Sequence, residues 1–213
     1  MKKDDYFQTH FAGCYYREKN NPTNQKKLKE IIYLGYKNGR ILDIGCAYGF
    51  FLGEADKYGF ETYGIDISKY ALGQADKNTK AKLVRLNLST DKIPFKDVDV
   101  CVMLNTLEHI PNYWQLLEEV KRILKRKGLL CLFVPTEKRW LTDPTHINFF
   151  TVNTLRFVLE KAGFKIIKIG EEGGIFQIPL GVFRLLVKGN TNFNFVPEGT
   201  GSFISCFAQK YFF

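Results

Sequence analysis

The chain has 213 residues, 45% hydrophobic and 25% charged, which suits a single globular domain with its own core. There is no run of about 18 apolar residues, which argues against a transmembrane segment. Met1-Lys2-Lys3-Asp4-Asp5 opens polar, without the apolar stretch of a signal peptide, so a cytoplasmic location is expected. The formal charge of +9 would suit a nucleic acid partner. The lysines are spread along the chain, however, and the densest group, Lys121-Arg122 with Lys125-Arg126-Lys127, fits a helix C-terminus. The favoured reading of the charge is therefore solubility.

In chain order, residues 1–38 read as a helical and aromatic cap segment, broken at Asn20-Asn21-Pro22, with a helix over Gln25–Tyr36. Arg40–Ile44 is a short apolar strand that runs into a glycine-rich turn, and Phe50–Tyr58 is a helix stopped by Gly59. Glu61–Ile65 is the second strand, ending at Asp66, and Ser68 caps the next helix. Lys82–Leu86 and Val98–Leu104 are the third and fourth strands. Asn112–Lys125 is a helix closed by Lys127-Gly128, and Leu129–Val134 is the fifth strand, stopped by Pro135. A helix over Thr151–Ala162 precedes the sixth strand, Phe164–Ile169. Residues 171–201 form an apolar insertion, and Phe203–Lys210 is the seventh strand. Strands alternating with helices predict an α/β fold with a doubly wound, mostly parallel sheet, helices on both faces and an antiparallel last strand. Ligands of such sheets sit beyond the carboxyl ends of the strands, where the strand order reverses. The five cysteines, Cys14, Cys46, Cys101, Cys131 and Cys206, include no Cys-x-x-Cys pair, so neither a zinc site nor a disulfide framework is expected.

The turn Asp43-Ile44-Gly45-Cys46-Ala47-Tyr48-Gly49 places two glycines just before a helix N-terminus. Asp66, at the end of the next strand, is placed to accept both hydroxyls of a ribose. A dinucleotide would require Gly-x-Gly-x-x-Gly. Here position 47 is Ala and position 50 is Phe, and the Phe50-Phe51 pair leaves little room for a diphosphate. A nucleoside cofactor without phosphate fits better.

Ile41–Gly49 resembles the glycine-rich motif of class I S-adenosylmethionine-dependent methyltransferases, and Gly64-Ile65-Asp66-Ile67-Ser68 resembles their ribose-binding acidic motif. Leu86-Asn87-Leu88 stands where that family has an Asp–Ala pair beside the adenine, with Asn87 as a departure. Val102–Ile110 resembles the strand-four motif, with the Leu-Glu-His-Ile ending of the broad branch that includes quinone O-methyltransferases. Asp143–Phe150 is similar to a segment of the same branch. The resemblance implies S-adenosyl-L-methionine as cofactor. It implies contacts from Asp43, Gly45, Cys46, Ala47, Gly49, Asp66, Ile67, Asn87, Leu88, Asn105 and Glu108.

Methyl transfer needs an aligned nucleophile, and a base where the acceptor must lose a proton. His146 and His109 are the catalytic candidates, because both follow strands on the active edge. The alternatives are a loop-fixing hydrogen bond for His146 and a structural role at a helix start for His109. Glu108 bonds the methionine amino group or orients a neighbour, with a solvated helix cap as the alternative. His10 is a weaker candidate, and the aromatic cluster Tyr6, Phe7, Tyr15 and Tyr16 either closes over the cofactor or packs in the core. No metal site is expected. The Asn/Asp-Pro-Pro-Tyr motif of amino-methyltransferases and a Pro-Cys nucleophile are both absent. The expected acceptor is small or amphiphilic and lipid-like, methylated at oxygen. An RNA methyltransferase and a cofactor-binding regulatory protein without catalysis are the alternatives. The apolar stretch Gly174–Val187 covers the substrate, rests on a membrane surface, packs on the sheet or forms a homodimer contact.

Overall fold

The computed structural model describes residues 19, 21–141, 143–172 and 202–211. Seven strands in them share one sheet: β1 (Arg40–Ile44), β2 (Glu61–Asp66), β3 (Lys82–Arg85), β4 (Val98–Leu104), β5 (Leu124–Pro135), β6 (Phe164–Glu172) and β7 (Phe203–Lys210). Their order is β3-β2-β1-β4-β5-β7-β6, and β7 runs antiparallel between β5 and β6. The order reverses between β1 and β4, whose carboxyl ends therefore flank the crevice expected of a doubly wound sheet. The helices are α1 (Pro22–Tyr33), α2 (Phe50–Lys57), α3 (Lys69–Ala75), α4 (Tyr113–Ile123), α5 (Glu137–Trp140) and α6 (Val152–Lys161).

Strand residues alternate between two apolar layers, because successive side chains leave a strand on opposite faces. Leu42, Ile44, Cys101, Met103, Leu130, Leu132, Ile204 and Cys206 pack with Leu116, Leu117 and Val120 of α4 and Leu155 and Leu159 of α6. Ile41, Val100, Val102, Leu129, Cys131 and Phe207 face the other way, against Leu28 and Ile31 of α1 and Phe51, Leu52 and Ala55 of α2. Both faces of β1, β4 and β5 are thus buried, which explains why these strands read as continuous apolar runs.

Local chemistry moved several boundaries. The Asn20-Asn21-Pro22 break is the start signal of α1: the Asn21 side chain accepts from Thr23 N at 3.0 Å, and Pro22 occupies the first turn. Helix α4 ends at Ile123, so Lys125-Arg126-Lys127 belong to the extended start of β5 and not to a helix terminus. There the pairing of β4 with β5 shifts register between Val98 and Val100, and Lys127 takes φ 63°. Strand β3 ends at Arg85, and the turn of helix at α5 carried no advance signal.

Helix α1 is built into the domain. Lys27 on its inner face is fully buried and bonds Glu172 at 2.8 Å, Glu30 at 3.0 Å and Ser205 Oγ at 2.6 Å. Its ammonium also lies 5.1 Å from the Phe133 ring centre. Burial alone would raise the Glu172 carboxyl, but Lys27 and Lys26 hold it below the usual range. Glu171 and Glu172, expected to open the insertion, instead extend β6 past Ile169 by pairing with Ile204 and Phe203, and residues 173–201 lie outside the described residues.

Candidate active site

The glycine-rich turn after β1 winds through three positive φ angles: Gly45 at 79°, Ala47 at 45° and Gly49 at 73°. Gly49 is the N-cap of α2. A Cβ on Gly45 would lie 2.4 Å from Thr106 Oγ1, so only glycine lets the turns after β1 and β4 meet. Thr106 Oγ1 in turn donates to Ile44 O at 3.0 Å. Ala47 and Asn105, at φ 53°, hold left-handed angles that L side chains rarely adopt, and they lie on these two facing turns.

Asp66 is buried and its two oxygens accept from Ala47 N and Ser68 N, each at 2.9 Å. It therefore holds the glycine turn to the end of β2, and each oxygen keeps a lone pair for a hydroxyl. Burial raises its pKa and the amide bonds oppose that rise. Asp43 is fully enclosed, and burial together with Asp66 pushes its carboxyl up to about 8. Its Oδ1 is buried without a hydrogen-bond partner. Cys46 is buried beneath the turn, whereas Ala47 and Ile67 are half-buried at its mouth. Asn87 and Leu88 are half-buried after β3, and the Asn87 side-chain oxygen accepts from Ser89 N at 3.2 Å. Asn105 is exposed after β4, its N–H bonded to Phe133 O at 2.8 Å. The turns carrying these residues share the carboxyl edge of the parallel strands.

A second group stands at the same edge. The 3₁₀ turn Leu107–His109 follows β4, and the loop after α5 is laced onto it. Ile147 N and Asn148 N donate to Glu108 O at 2.9 and 3.0 Å, and Asn148 Nδ2 donates to Ile110 O at 2.7 Å. This brings His146 against His109, with ring centres 4.7 Å apart, and His146 Nε2 to 4.0 Å from Glu108 Oε1. Glu108 is 0% exposed, both of its oxygens lack a hydrogen-bond partner, and burial pushes its carboxyl up to about 8. Burial, then His146, lowers the pKa of His109. Thr145 links the loop to His109: its Oγ1 stands 3.0 Å from His109 Nδ1 and donates to Asp143 Oδ1 at 2.6 Å. Exposed apolar side chains occur on the loop after α5, at Leu141, Ile147 and Phe149, and at the start of α4, at Trp114.

Sequence reading did not single out Thr106, Thr145 or Asn148 as functional; it offered Asp143 as the group orienting His146, whereas Asp143 accepts from Thr145 and it is Glu108 that stands beside His146 Nε2. His10 and the Tyr6, Phe7, Tyr15 and Tyr16 cluster lie outside the described residues. A groove of about 450 Å³ between α1 and α2, lined by Phe50, Gly53 and Asn78, contains none of the candidate residues.

The family model described as "Methyltransferase domain" matches residues 16–169. The chain belongs to the methyltransferase-domain family. This methyltransferase domain is 32% identical, over 62% of its length and 57% of the relative's, to an uncharacterised protein of Methanocaldococcus jannaschii. It is 30% identical, over 51% of its length and 48% of the relative's, to the ubiquinone biosynthesis O-methyltransferase of Paraburkholderia phymatum. The chain thus spans about half the length of these curated relatives. In fold, it matches an S-adenosylmethionine-dependent methyltransferase of Archaeoglobus fulgidus with a TM-score of 0.69 and 21% identity, covering 95% of this chain and 100% of that one. A putative methyltransferase of Haloferax volcanii, solved with the Trm112 methyltransferase activator, matches at 0.74 with 16% identity, over 99% and 98%. The fold is that of class I S-adenosylmethionine-dependent methyltransferases, and S-adenosylmethionine is the expected cofactor. The residues present fit it: a glycine turn closed to any Cβ at Gly45, a buried orphan oxygen on Asp43, and the Asp66 carboxylate beside them.

Proposed function

We propose that the protein moves a methyl group from S-adenosylmethionine to an oxygen of a small or amphiphilic acceptor. The observation that carries this reading is the convergence of Glu108, His109 and His146 at the carboxyl edge of β4 and β5. When bound, the cofactor supplies an activated methyl on a sulfonium. Asp66 holds the ribose, Asn87 and Leu88 flank the base, and Gly45, Cys46, Ala47 and Gly49 lay their backbone along the rest. Asn105 and Ile67 border this pocket. The histidine pair handles the proton of the acceptor, with His146 as the group that accepts it. Trp114, Ile147 and Phe149 offer an apolar rim to the acceptor's body. The Leu-Glu-His-Ile ending and the quinone O-methyltransferase among the relatives support oxygen as the acceptor atom.

Charge placement weighs against the RNA alternative. Lys125-Arg126-Lys127 lie at the amino end of β5, on the edge opposite the site, and Lys125 is tied to Asp99 at 2.8 Å. A cytoplasmic location accords with the described residues, in which no helix is long and apolar enough to cross a membrane. The test is cofactor consumption against hydroxylated aromatics, hydroxylated lipids and RNA. Turnover on a phenolic or lipid hydroxyl supports the proposal, and submicromolar RNA binding with turnover would replace it. Cofactor binding with no turnover on any acceptor would favour the regulatory reading.

A further inference from the structure

We propose that Glu108, His109 and His146 form a binding site for one divalent transition cation of the zinc or manganese class. The inference deepens the methyl-transfer reading of the same cluster and rests on it for the purpose of the cation.

One ligand atom from each residue lies within 4.8 Å of the others. Ligands around a four- to six-coordinate cation stand about 3.0–3.4 Å apart, for metal–ligand distances of about 2.1 Å. Drawing the three together is a matter of roughly an ångström in side chains that already face one another. The second observation is Glu108 itself: 0% exposed, with neither carboxylate oxygen hydrogen-bonded. A buried carboxylate in that condition must either take a proton or receive a cation. Its one ion-pair contact is His146 Nε2 at 4.0 Å, too long for a hydrogen bond.

The surroundings also set the tautomer of a ligand. Thr145 Oγ1 spends its proton on Asp143 Oδ1, so the lone pair it turns to His109, at 3.0 Å, requires the proton on Nδ1. Thr145 O, 3.2 Å away, accepts from the same atom. The imidazole lone pair is then on Nε2, and a carbonyl–hydroxyl–carboxylate chain fixes the ring, as is usual behind metal-binding histidines. Two imidazoles and a single carboxylate suit zinc, manganese, iron or cobalt better than magnesium, which prefers oxygen alone. Three protein ligands leave a position open, as in catalytic sites.

An acceptor hydroxyl entering that position becomes more acidic and releases its proton to solvent. Its oxygen pair forms the new C–O bond, and the C–S bonding pair stays on sulfur as the neutral thioether. Charge and atoms balance without an oxidant or a reductant. With the cation bound His146 is a ligand, and solvent takes the proton that the imidazole accepts in the cation's absence.

The test uses the full chain after treatment with EDTA. Titration with Co²⁺ should give visible d–d absorption that saturates at one equivalent, and Zn²⁺ should displace it. Glu108→Gln and His146→Ala should each weaken Co²⁺ binding at least tenfold. Cooperative thermal melting and an unchanged far-ultraviolet circular dichroism spectrum confirm that these variants are folded. Absence of saturable Co²⁺ or Zn²⁺ binding in the folded wild type overturns the proposal, and so does binding that survives both substitutions. Turnover undiminished by EDTA would overturn the cation site and leave the methyl-transfer reading standing. Stoichiometric cation binding without turnover on any acceptor would do the reverse.

Discussion

Gly45 and Thr106 touch so closely that a single methyl group on the glycine would fall 2.4 Å from the threonine hydroxyl. This contact joins the turn after β1 to the turn after β4 and sets the width of the crevice between them. Gly45→Ala should add a left-handed strain of about 1–2 kcal/mol to an overpacking cost of about 1–3 kcal/mol. Thermal melting should show a lower Tm, and calorimetry weaker S-adenosylmethionine binding. Adding Thr106→Ala should recover the packing part and not the strain. No recovery in the double variant would show that the contact does not govern the crevice.

Asp66 carries a different load. In the proposed cofactor pose Asp66→Ala removes a charged bond to the ribose worth about 1.5–3 kcal/mol, so the cofactor should bind at least tenfold more weakly. Asp66→Asn retains one oxygen and should fall between the two. Wild-type affinity in folded Asp66→Ala would remove this residue from the site.

Asp43 gives the protein a pH signature. Burial, reinforced by Asp66, raises its carboxyl to about 8 in the folded chain, against about 4 when unfolded. The folded state holds a proton that the unfolded state gives up. Stability is therefore greatest below about pH 4 as far as this group is concerned, and is lost as pH rises from about 4 to about 8. Denaturant melts of cofactor-free protein should show that Asp43→Asn lessens the decline across this window. Identical slopes in the two proteins would contradict the burial of a proton there.

Lys27 sits at the hub of a buried ionic group. Lys27→Ala leaves Glu172 without its buried partner and should cost about 3–5 kcal/mol. At this chain length that is a fall in Tm of roughly 6–20 °C. Lys27→Met with Glu172→Gln removes both charges and should recover much of the loss. A double variant no more stable than Lys27→Ala would show that the charges themselves are not the cause.

The sheet could be read from the sequence because its signals are local. β1, β4 and β5 announce themselves as apolar runs, and Thr151, Ser68 and Gly163 mark helix ends where the structure has them. The glycine turn and Asp66 are legible for the same reason. What stayed hidden depends on contacts between distant positions. Lys27 looks like one surface lysine among many until Glu172 and Ser205 arrive from the other end of the chain. The basic run after Ile123 mimics a helix terminus, but pairing with β4 draws it into a strand. His109 and His146 were each visible as residues. That they cluster with a carboxylate lacking hydrogen bonds depends on how Asn148 and Thr145 fasten one loop to another, and no spacing encodes that.

The position of β7 has a consequence for how the molecule is made. β6 hydrogen-bonds to β7 and not to β5, so at the moment it leaves the ribosome it has no neighbour to pair with. The buried ammonium of Lys27 has Glu30 beside it on α1, but the Glu172 carboxylate arrives only with β6 and the Ser205 hydroxyl only with β7. The strands β1 to β5 can pair while translation continues, but β6 joins the sheet only when residues 203–210 have been made and pair with both it and β5. Until then the nascent chain displays an unsatisfied strand edge, a feature that chaperones and quality-control proteases engage.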